Sequence, residues 1–236
     1  METENVFPYM NKCDYAIGYP LQIISDRYIQ KSHAPSLLYY SQQIKNERKN
    51  IIKARKKFCG AVISNPNGKF RNIFIEELNK YKTIDNLGKF RKNVIFIEKS
   101  NIDRYQNKIN FLKQYKFSVA MENSFNTGYI SEKIITCFLS GTIPIYYGDV
   151  TLESFINPKT FIQVKPWDDI TEKITLIKKI DNDDKLYFSM LNEDLNMDAL
   201  FIKLQNQDYQ DMADYVFFQS KKKAKRRGDS QYIKLI

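Results

Sequence analysis

Residues 116–148 read KFSVAMENSFNTGYISEKIITCFLSGTIPIYYG and contain the pattern that decides the fold. Alternating apolar residues at the start of this stretch predict a buried strand, and the polar, turn-forming segment 122–129 then predicts a loop. Ser131 is a good N-cap residue for a following helix whose apolar residues share one face. Gly141 ends that helix, and residues 142–147 predict a second strand. The stretch is therefore predicted to be a βαβ unit.

A βαβ unit indicates where a ligand binds, because ligands of parallel sheets lie beyond the carboxyl ends of the strands. In this unit, the loop after the first strand is polar and leads to a helix N-terminus with Glu132 and Lys133. Free backbone amides and a lysine at a helix start suit a phosphate. Taken alone, the pattern also allows Glu132 and Lys133 to be ordinary exposed residues of a first helical turn.

A second strand-to-helix turn precedes this unit. Residues 58–65 predict a strand, and the turn at 65–68 leads to a helix with regularly spaced apolar residues. Arg71 lies in the first turn of that helix, where a cation is unfavourable beside the helix dipole. A second phosphate-binding side chain explains an arginine at this place. The alternative is an exposed arginine with no specific partner.

Strands and helices alternate along the rest of the chain. We expect a short strand at 94–97, a helix-like segment at 109–115, a strand at 160–164, and a helix that begins at Asp168 and Asp169. Such alternation predicts an α/β fold with a mostly parallel, Rossmann-like sheet.

The net charge of +10 is concentrated in two segments. Residues 45–57 and 221–236 each carry seven basic residues and one acidic residue, so the remainder has a net charge of −2. A nucleic-acid binder more often spreads its cations over a face with stacking aromatics, so nucleic acid is not an expected partner. We expect residues 45–57 on a solvated helix face or in a mobile loop. The tail is expected to be mobile, with attraction to anionic lipid as the functional alternative.

Cysteine usage and hydropathy indicate a cytoplasmic protein. Cys13, Cys59 and Cys137 are widely spaced, which argues against a disulfide framework and suits a reducing compartment. No apolar run of about 18 residues predicts a membrane-spanning helix, and the N-terminus lacks the apolar core of a secretory signal. His33, the only histidine, is expected to be structural or to lie on the surface. No metal-ligand cluster is predicted.

The central stretch resembles the motif of glycosyltransferase family ten, the α-1,3-fucosyltransferases, and most resembles bacterial members that decorate lipopolysaccharide. The resemblance spans residues 4–192. Further segments match in the same order: 13–18, 26–28, 38–40, 71–72, 111–117 and 155–161. A long ordered set is more specific than one short motif.

The resemblance implies a GT-B architecture, in which the C-terminal half holds GDP-fucose and the N-terminal half binds the acceptor. By this resemblance, Arg71 and Lys133 contact the diphosphate of the donor. Asn123, Tyr129 and Glu132 contact its ribose, base or fucose, and Glu132 also belongs to the catalytic set. No metal is obligatory, and a divalent cation is at most stimulatory.

The resemblance also implies a catalytic base at Glu4. The family has Gly-Glu-Asn at this place, whereas this chain has Thr3-Glu4-Asn5. Most of the N-terminal half is therefore expected to be missing. Residues 1–57 are expected to be its remnant and a basic linker, 58–219 the GDP-sugar-binding domain, and 220–236 a basic tail.

The implied reaction is inverting transfer of fucose from GDP-fucose to an N-acetylglucosamine hydroxyl of a lactosamine-like glycan or lipopolysaccharide chain. The alternative is a GDP-sugar-binding half-domain without its own transferase activity. The tails of bacterial members imply peripheral contact with an anionic membrane, which here would be its cytoplasmic face.

Overall fold

A computed structural model describes the fold. It covers residues 16–18, 23–24, 28–30, 34–51, 53, 55–97, 100–154, 156–196, 210, 213–214, 217–218 and 234–235. The strands are β1 (Ala16–Gly18), β2 (Ile23–Ile24), β3 (Tyr28–Gln30), β4 (Lys57–Ala61), β5 (Ile84–Asn86), β6 (Tyr115–Met121), β7 (Ile143–Tyr147), β8 (Ile162–Gln163) and β9 (Lys234–Leu235). The α-helices are α1 (Ala34–Lys49), α2 (Lys69–Asn79), α3 (Arg104–Leu112), α4 (Glu132–Leu139), α5 (Ile170–Asn182) and α6 (Asp184–Asn192).

Five parallel strands form the main sheet in the order β5-β4-β6-β7-β8. This confirms the predicted α/β class and the Rossmann-like sheet. The chain moves outward from β4 to β5 and then crosses back to β6 on the other side of β4. The strand order therefore reverses between β4 and β6, and ligands of such sheets bind beside this switch point, at the carboxyl ends of the strands.

Helices cover both faces of the sheet. Apolar residues of α1, α3 and α4 form one core, which includes the fully buried Ile44 and Phe138. Residues of α2, α5 and α6 form the other core, which includes Phe74 and Tyr187. Because β6 and β7 are covered on both faces, their side chains are almost all buried, and both strands are nearly continuous apolar runs.

Two of the predicted elements are placed differently in the structure. The strand predicted at 94–97 is wrong, because the edge strand is β5 and residues 94–97 are not a strand. Ile95 and Ile97 are 95% and 87% exposed, whereas Val94 and Phe96 pack on the core, which explains the misleading alternation. The helix predicted at 109–115 begins earlier, at Arg104, and ends at Leu112.

The basic run 45–57 is not simply a solvated face, which corrects that expectation. Arg48 is buried and donates to the carbonyl oxygen of Met190 at 2.9 Å, and burial lowers its pKa to about 10. Arg55 donates to the carbonyl oxygens of Ser140 and Tyr115 at 2.8 and 3.1 Å. Helix α1 and the segment after it are therefore tied to the sheet domain.

Short strand pairs lie outside the main sheet. β1 pairs with β3 in parallel, and β2 pairs with β9 in antiparallel fashion. Strand β9 belongs to the tail that was expected to be mobile, so this expectation is wrong for Lys234 and Leu235. In the part of the chain that the structure describes, no helix is both long and apolar enough to cross a membrane.

Candidate functional site

Arg71 connects the loops that follow β4 and β6. Its side chain is only 2% exposed. Nη2 donates to the carbonyl oxygen of Asn65 and Nη1 donates to Oδ1 of Asn123, each at 2.5 Å. Burial lowers the pKa of the guanidinium, and the charge of Glu122 acts in the opposite direction. The alternative of an exposed arginine without a specific partner is wrong, and phosphate binding by Arg71 stays a prediction.

Gly68 leaves room for this arrangement. Helix α2 begins after Gly68, which provides no side-chain cap. A Cβ atom at this position would lie 2.7 Å from Cζ of Arg71, so any larger residue would displace the guanidinium. Nε of Arg71 is buried and has no hydrogen-bond partner. Of the five N–H donors of the guanidinium, the one on Nε is therefore buried and unused within the described residues.

Lys133 is held by a buried carboxylate. Its Nζ donates to Oε2 of Glu122 at 2.5 Å and to Oγ of Ser131 at 3.1 Å, and Ser131 Oγ also donates to Oε1 of Glu122. Glu122 is 1% exposed, and its backbone N–H donates to Tyr147 at 2.7 Å. Ser131 caps α4, as predicted. The lysine keeps about a third of its side chain exposed and lies at the start of the helix.

A cleft of about 620 Å³ lies above these residues. Val62, Leu112, Val119 and Met121 provide an apolar part of its lining. Arg71, Asn123, Glu132 and Lys133 also line it, so the structure brings together four of the residues that were predicted for the site. Tyr129 is half-buried in the loop before α4 and is not among the lining residues. Glu4, Cys13 and His33 lie outside the described residues.

The cleft is strongly cationic. Six arginine or lysine side chains line it, against one carboxylate, that of Glu132. Sequence reasoning missed four of the six: Lys89, Lys92, Arg104 and Lys108. Arg104 and Lys108 are four positions apart, so they share a helix face, and that spacing was the available signal. Lys89 and Lys92 follow β5, whose position was itself predicted wrongly.

Two further candidate groups, a cysteine and a pair of aspartates, serve the fold. Cys137 lines the cleft, but burial raises the pKa of its thiol to about 12. The sequence contains one Asp-x-Asp tripeptide, Asp181-Asn182-Asp183, which does not line the cleft. Asp181 pairs with Lys82, and Asp183 caps α6. Among the residues described, no three His, Cys, Asp or Glu side chains are grouped in a way that could hold a metal ion.

This geometry suits an anion that carries an organic group. Arg71 and the α4 N-terminus provide fixed donors at the carboxyl edge of the sheet, and fixed donors stabilise developing negative charge without reorganising. The adjoining apolar surface accommodates a ring system. The cleft volume is also within the range of about 300–1,000 Å³ that is usual for small-molecule sites.

Comparisons with known proteins agree with this geometry. Residues 52–225 match the family model for glycosyltransferase family 10 (fucosyltransferase), C-terminal part. An alpha-(1,3)-fucosyltransferase of Helicobacter pylori is 30% identical over 223 residues, which cover 80% of this chain and 45% of that protein. The 4-galactosyl-N-acetylglucosaminide 3-alpha-L-fucosyltransferase 9 of Cricetulus griseus is 29% identical over 144 residues, which cover 60% of this chain and 38% of that protein.

A solved structure is similar over most of the chain. The crystal structure of an α1,3-fucosyltransferase with GDP-fucose superposes with a TM-score of 0.64 at 26% identity, covering 84% of this chain and 69% of that chain. The chain spans less than half the length of the two relatives named above. Because the family model covers well over half of the chain, the chain belongs to glycosyltransferase family 10, the fucosyltransferases.

Proposed function

We propose that this chain holds the donor GDP-fucose in an inverting α-1,3-fucosyltransferase of GT-B architecture. The observation that carries the proposal is Arg71, which joins the loops after β4 and β6 beside Lys133 at the start of α4. The related structure with GDP-fucose supports the choice of donor.

Arg71 and Lys133 are proposed to stabilise the leaving diphosphate. In the transfer, the bond between the anomeric carbon and the phosphate oxygen breaks, and GDP leaves with the electron pair. Negative charge then increases on that oxygen, and fixed cations lower the energy of this transition state. Asn123 accepts from Arg71 through Oδ1, which orients its Nδ2 to donate to the ligand. Because these side chains supply the charge stabilisation, we propose no obligatory metal and at most a stimulatory divalent cation.

The acceptor hydroxyl forms the new bond to the anomeric carbon from the opposite face of the sugar, which inverts the configuration. A general base must take its proton as the bond forms. The family resemblance assigns this role to Glu4. We propose that Glu132, which lines the cleft at the helix start, contacts hydroxyls of the ribose or the fucose and so orients the donor.

The acceptor is proposed to be an N-acetylglucosamine unit of a lactosamine-like glycan, as the name of the Cricetulus griseus relative indicates for that protein. A lipopolysaccharide chain is the acceptor that the bacterial resemblance favours. The basic tail supports peripheral contact with an anionic membrane from the cytoplasmic side, since each lysine or arginine near such a surface contributes about 1 kcal/mol.

A second candidate function is GDP-sugar binding without transfer. The observation that favours it is that the cleft residues described above all belong to the proposed donor side, between β4 and α4. The two functions share the nucleotide site and differ in whether an acceptor is used.

Calorimetric titration with GDP and a transfer assay with GDP-fucose and N-acetyllactosamine separate these functions. The Arg71→Ala variant should bind GDP at least about tenfold more weakly, because charge-assisted hydrogen bonds are lost. Lys80→Ala, an exposed lysine that pairs with Glu77, is the matched control and should bind as wild type does. Absence of GDP binding by the wild type would overturn both functions. Binding without transfer would favour the second.

A further inference from the structure

The charges of the predicted donor residues and of the buried carboxylate of Glu122 beside them cancel. Arg71 and Lys133 carry two positive charges, whereas Glu122 and Glu132 carry two negative ones. Lys133 is also already paired with Glu122 at 2.5 Å. These side chains can donate hydrogen bonds to a phosphate, but their summed charge does not attract one. A sugar-nucleotide diphosphate brings two negative charges, so the cleft needs another source of positive charge.

Four further cations supply it, and we call them the cationic wall: Lys89, Lys92, Arg104 and Lys108. All four line the same cleft as Arg71 and Lys133. None of them forms a salt bridge within the residues that the structure describes. Neighbouring cations on the same segments do form one: Arg91 pairs with Glu76 and Lys113 pairs with Glu47.

The fold explains how these residues come together. Lys89 and Lys92 follow β5, and Arg104 and Lys108 lie one turn apart at the start of α3. Helices α3 and α4 pack side by side on one face of the sheet, and both begin at the carboxyl edge. The cleft therefore has Arg104 and Lys108 on the α3 side and Lys133 on the α4 side.

The arrangement is unfavourable without a ligand. Four like charges around one cleft repel one another. Lys89, Lys92 and Arg104 are exposed and Lys108 is half-buried, so solvent screens part of this repulsion. Arg104 is also the first residue of α3, where a cation opposes the helix dipole, although the side chain of Asp103 caps this helix. A bound anion would remove both penalties.

We propose that the cationic wall binds the diphosphate of the nucleotide from the α3 side and supplies most of the attraction for it. This inference rests on the proposed function, because it takes a nucleoside diphosphate as the ligand. Arg71 and Lys133 then position the diphosphate, and the wall provides the net charge that draws it into the cleft. An acidic group on the acceptor could bind the same cations, and the experiment below distinguishes it from the diphosphate.

The test compares three double variants by calorimetric titration at several salt concentrations. Arg104→Gln with Lys108→Gln and Lys89→Gln with Lys92→Gln neutralise the wall in halves. Lys179→Gln with Lys185→Gln is the control, because it makes the same charge change at exposed positions on the opposite face of the sheet. The α3 variant should bind GDP at least about tenfold more weakly, with a shallower salt dependence. Its affinity for guanosine, which lacks phosphate, should match that of the control.

Three results would overturn the proposal. In the first, GDP affinity of both wall variants equals that of the control. In the second, affinity for guanosine falls as much as affinity for GDP, which would place the base against the wall. In the third, the wall variants bind GDP as the control does but no longer bind a sulfated lactosamine. The wall would then bind an acidic group of the acceptor and not the diphosphate of the nucleotide.

Inorganic pyrophosphate separates this inference from the proposed function. If the wild type binds pyrophosphate through the wall but does not bind GDP, the anion site stands and the nucleotide function fails. If it binds neither, both fail. If every wall variant binds GDP as tightly as the wild type does, only the inference fails.

Discussion

Arg71 shows how one side chain makes a site out of two distant loops. It binds both Asn65 and Asn123, and Asn123 lies 52 positions after the arginine in the sequence. A guanidinium spans two acceptors with fixed geometry, which the single ammonium of a lysine cannot do. The unfavourable position of a cation in the first turn of α2 is therefore explained by its contacts in the folded chain.

Glu122 should matter more for stability than its place in a polar loop suggests. The Glu122→Gln variant removes the buried carboxylate that accepts hydrogen bonds from Lys133 and Ser131. We expect the free energy of unfolding to fall by about 1–3 kcal/mol, because buried hydrogen-bonding groups lose their partner. Urea unfolding measures this. Glu76→Gln, which breaks the exposed pair with Arg91, should cost less than about 1 kcal/mol. Equal effects of the two variants would contradict this role of Glu122.

The thiol of Cys137 should be inert although it lines the cleft. Burial raises its pKa to about 12 and raises the pKa of Cys59 as well, so neither forms thiolate at neutral pH. In a Cys13→Ser background, iodoacetamide at pH 7.5 should modify Cys59 and Cys137 only after urea is added. Peptide mass spectrometry measures the fraction of each cysteine that iodoacetamide has modified. Rapid modification of Cys137 in the native protein would show that the thiol is reactive.

At the scale of elements, Asp181 ties α5 to the end of α2 and to β6. Its carboxylate accepts from Lys82 at 2.5 Å and from Tyr81 at 2.9 Å, and it lies 3.3 Å from Lys116. Burial alone would raise the pKa of this carboxyl. The hydrogen bonds from Lys82 and Tyr81 and the charge of Lys116 outweigh burial, and the pKa is lowered.

The stability contributed by Asp181 should therefore be lost in acid. A folded-state pKa below the unfolded value means that the contribution is complete above about pH 4 and disappears as the pH falls through the folded-state pKa. Asp181→Asn should lower the free energy of unfolding by about 1–3 kcal/mol at pH 7. The difference from wild type should shrink as the pH falls below about 4. Urea unfolding across this range measures it, and a difference independent of pH would contradict the assignment.

Local patterns predicted the inner elements better than the edge. The βαβ unit from β6 to β7 has strong periodicity and a capping serine, and it lies as predicted. The edge strand does not show this pattern. Ile84-Asp85-Asn86 is a strand because it pairs with β4, and Asn86 fixes the following turn by accepting from the backbone of Ile63 and donating to Phe90. Tertiary pairing thus outweighed the apolar alternation at 94–97.

For the whole molecule, α1 belongs with the sheet domain. Ile44 is fully buried, and Arg48 donates to the carbonyl oxygens of Thr160 and Met190 and lies over the ring of Phe138. A domain boundary at 57/58 would remove this cover from α4. We therefore propose that the domain begins at or before Ala34 and not at residue 58.

Two shortened chains test this boundary. A chain that begins at Ala34 should unfold cooperatively in urea, with a midpoint close to that of the full sequence. A chain that begins at Lys57, the first residue of β4, should aggregate or unfold without a cooperative transition, because the apolar surface of α4 is exposed to water. Cooperative unfolding of the shorter chain at an unchanged midpoint would show that α1 is dispensable.

The family resemblance, not a local pattern, selected Arg71 and Lys133 as site residues. The sequence by itself determined the α/β class, the βαβ unit and the capped helix start at Ser131. These depend on windows of ten to thirty residues, in which periodicity and turn chemistry act locally. Only the tertiary structure decided which polar groups meet. The bond from Arg71 to Asn123, the pairing of Lys133 with Glu122, the burial of α1 and the cationic wall each join segments brought together by strand order. Charge and hydrogen bonding act through space, so their partners follow from the folded arrangement.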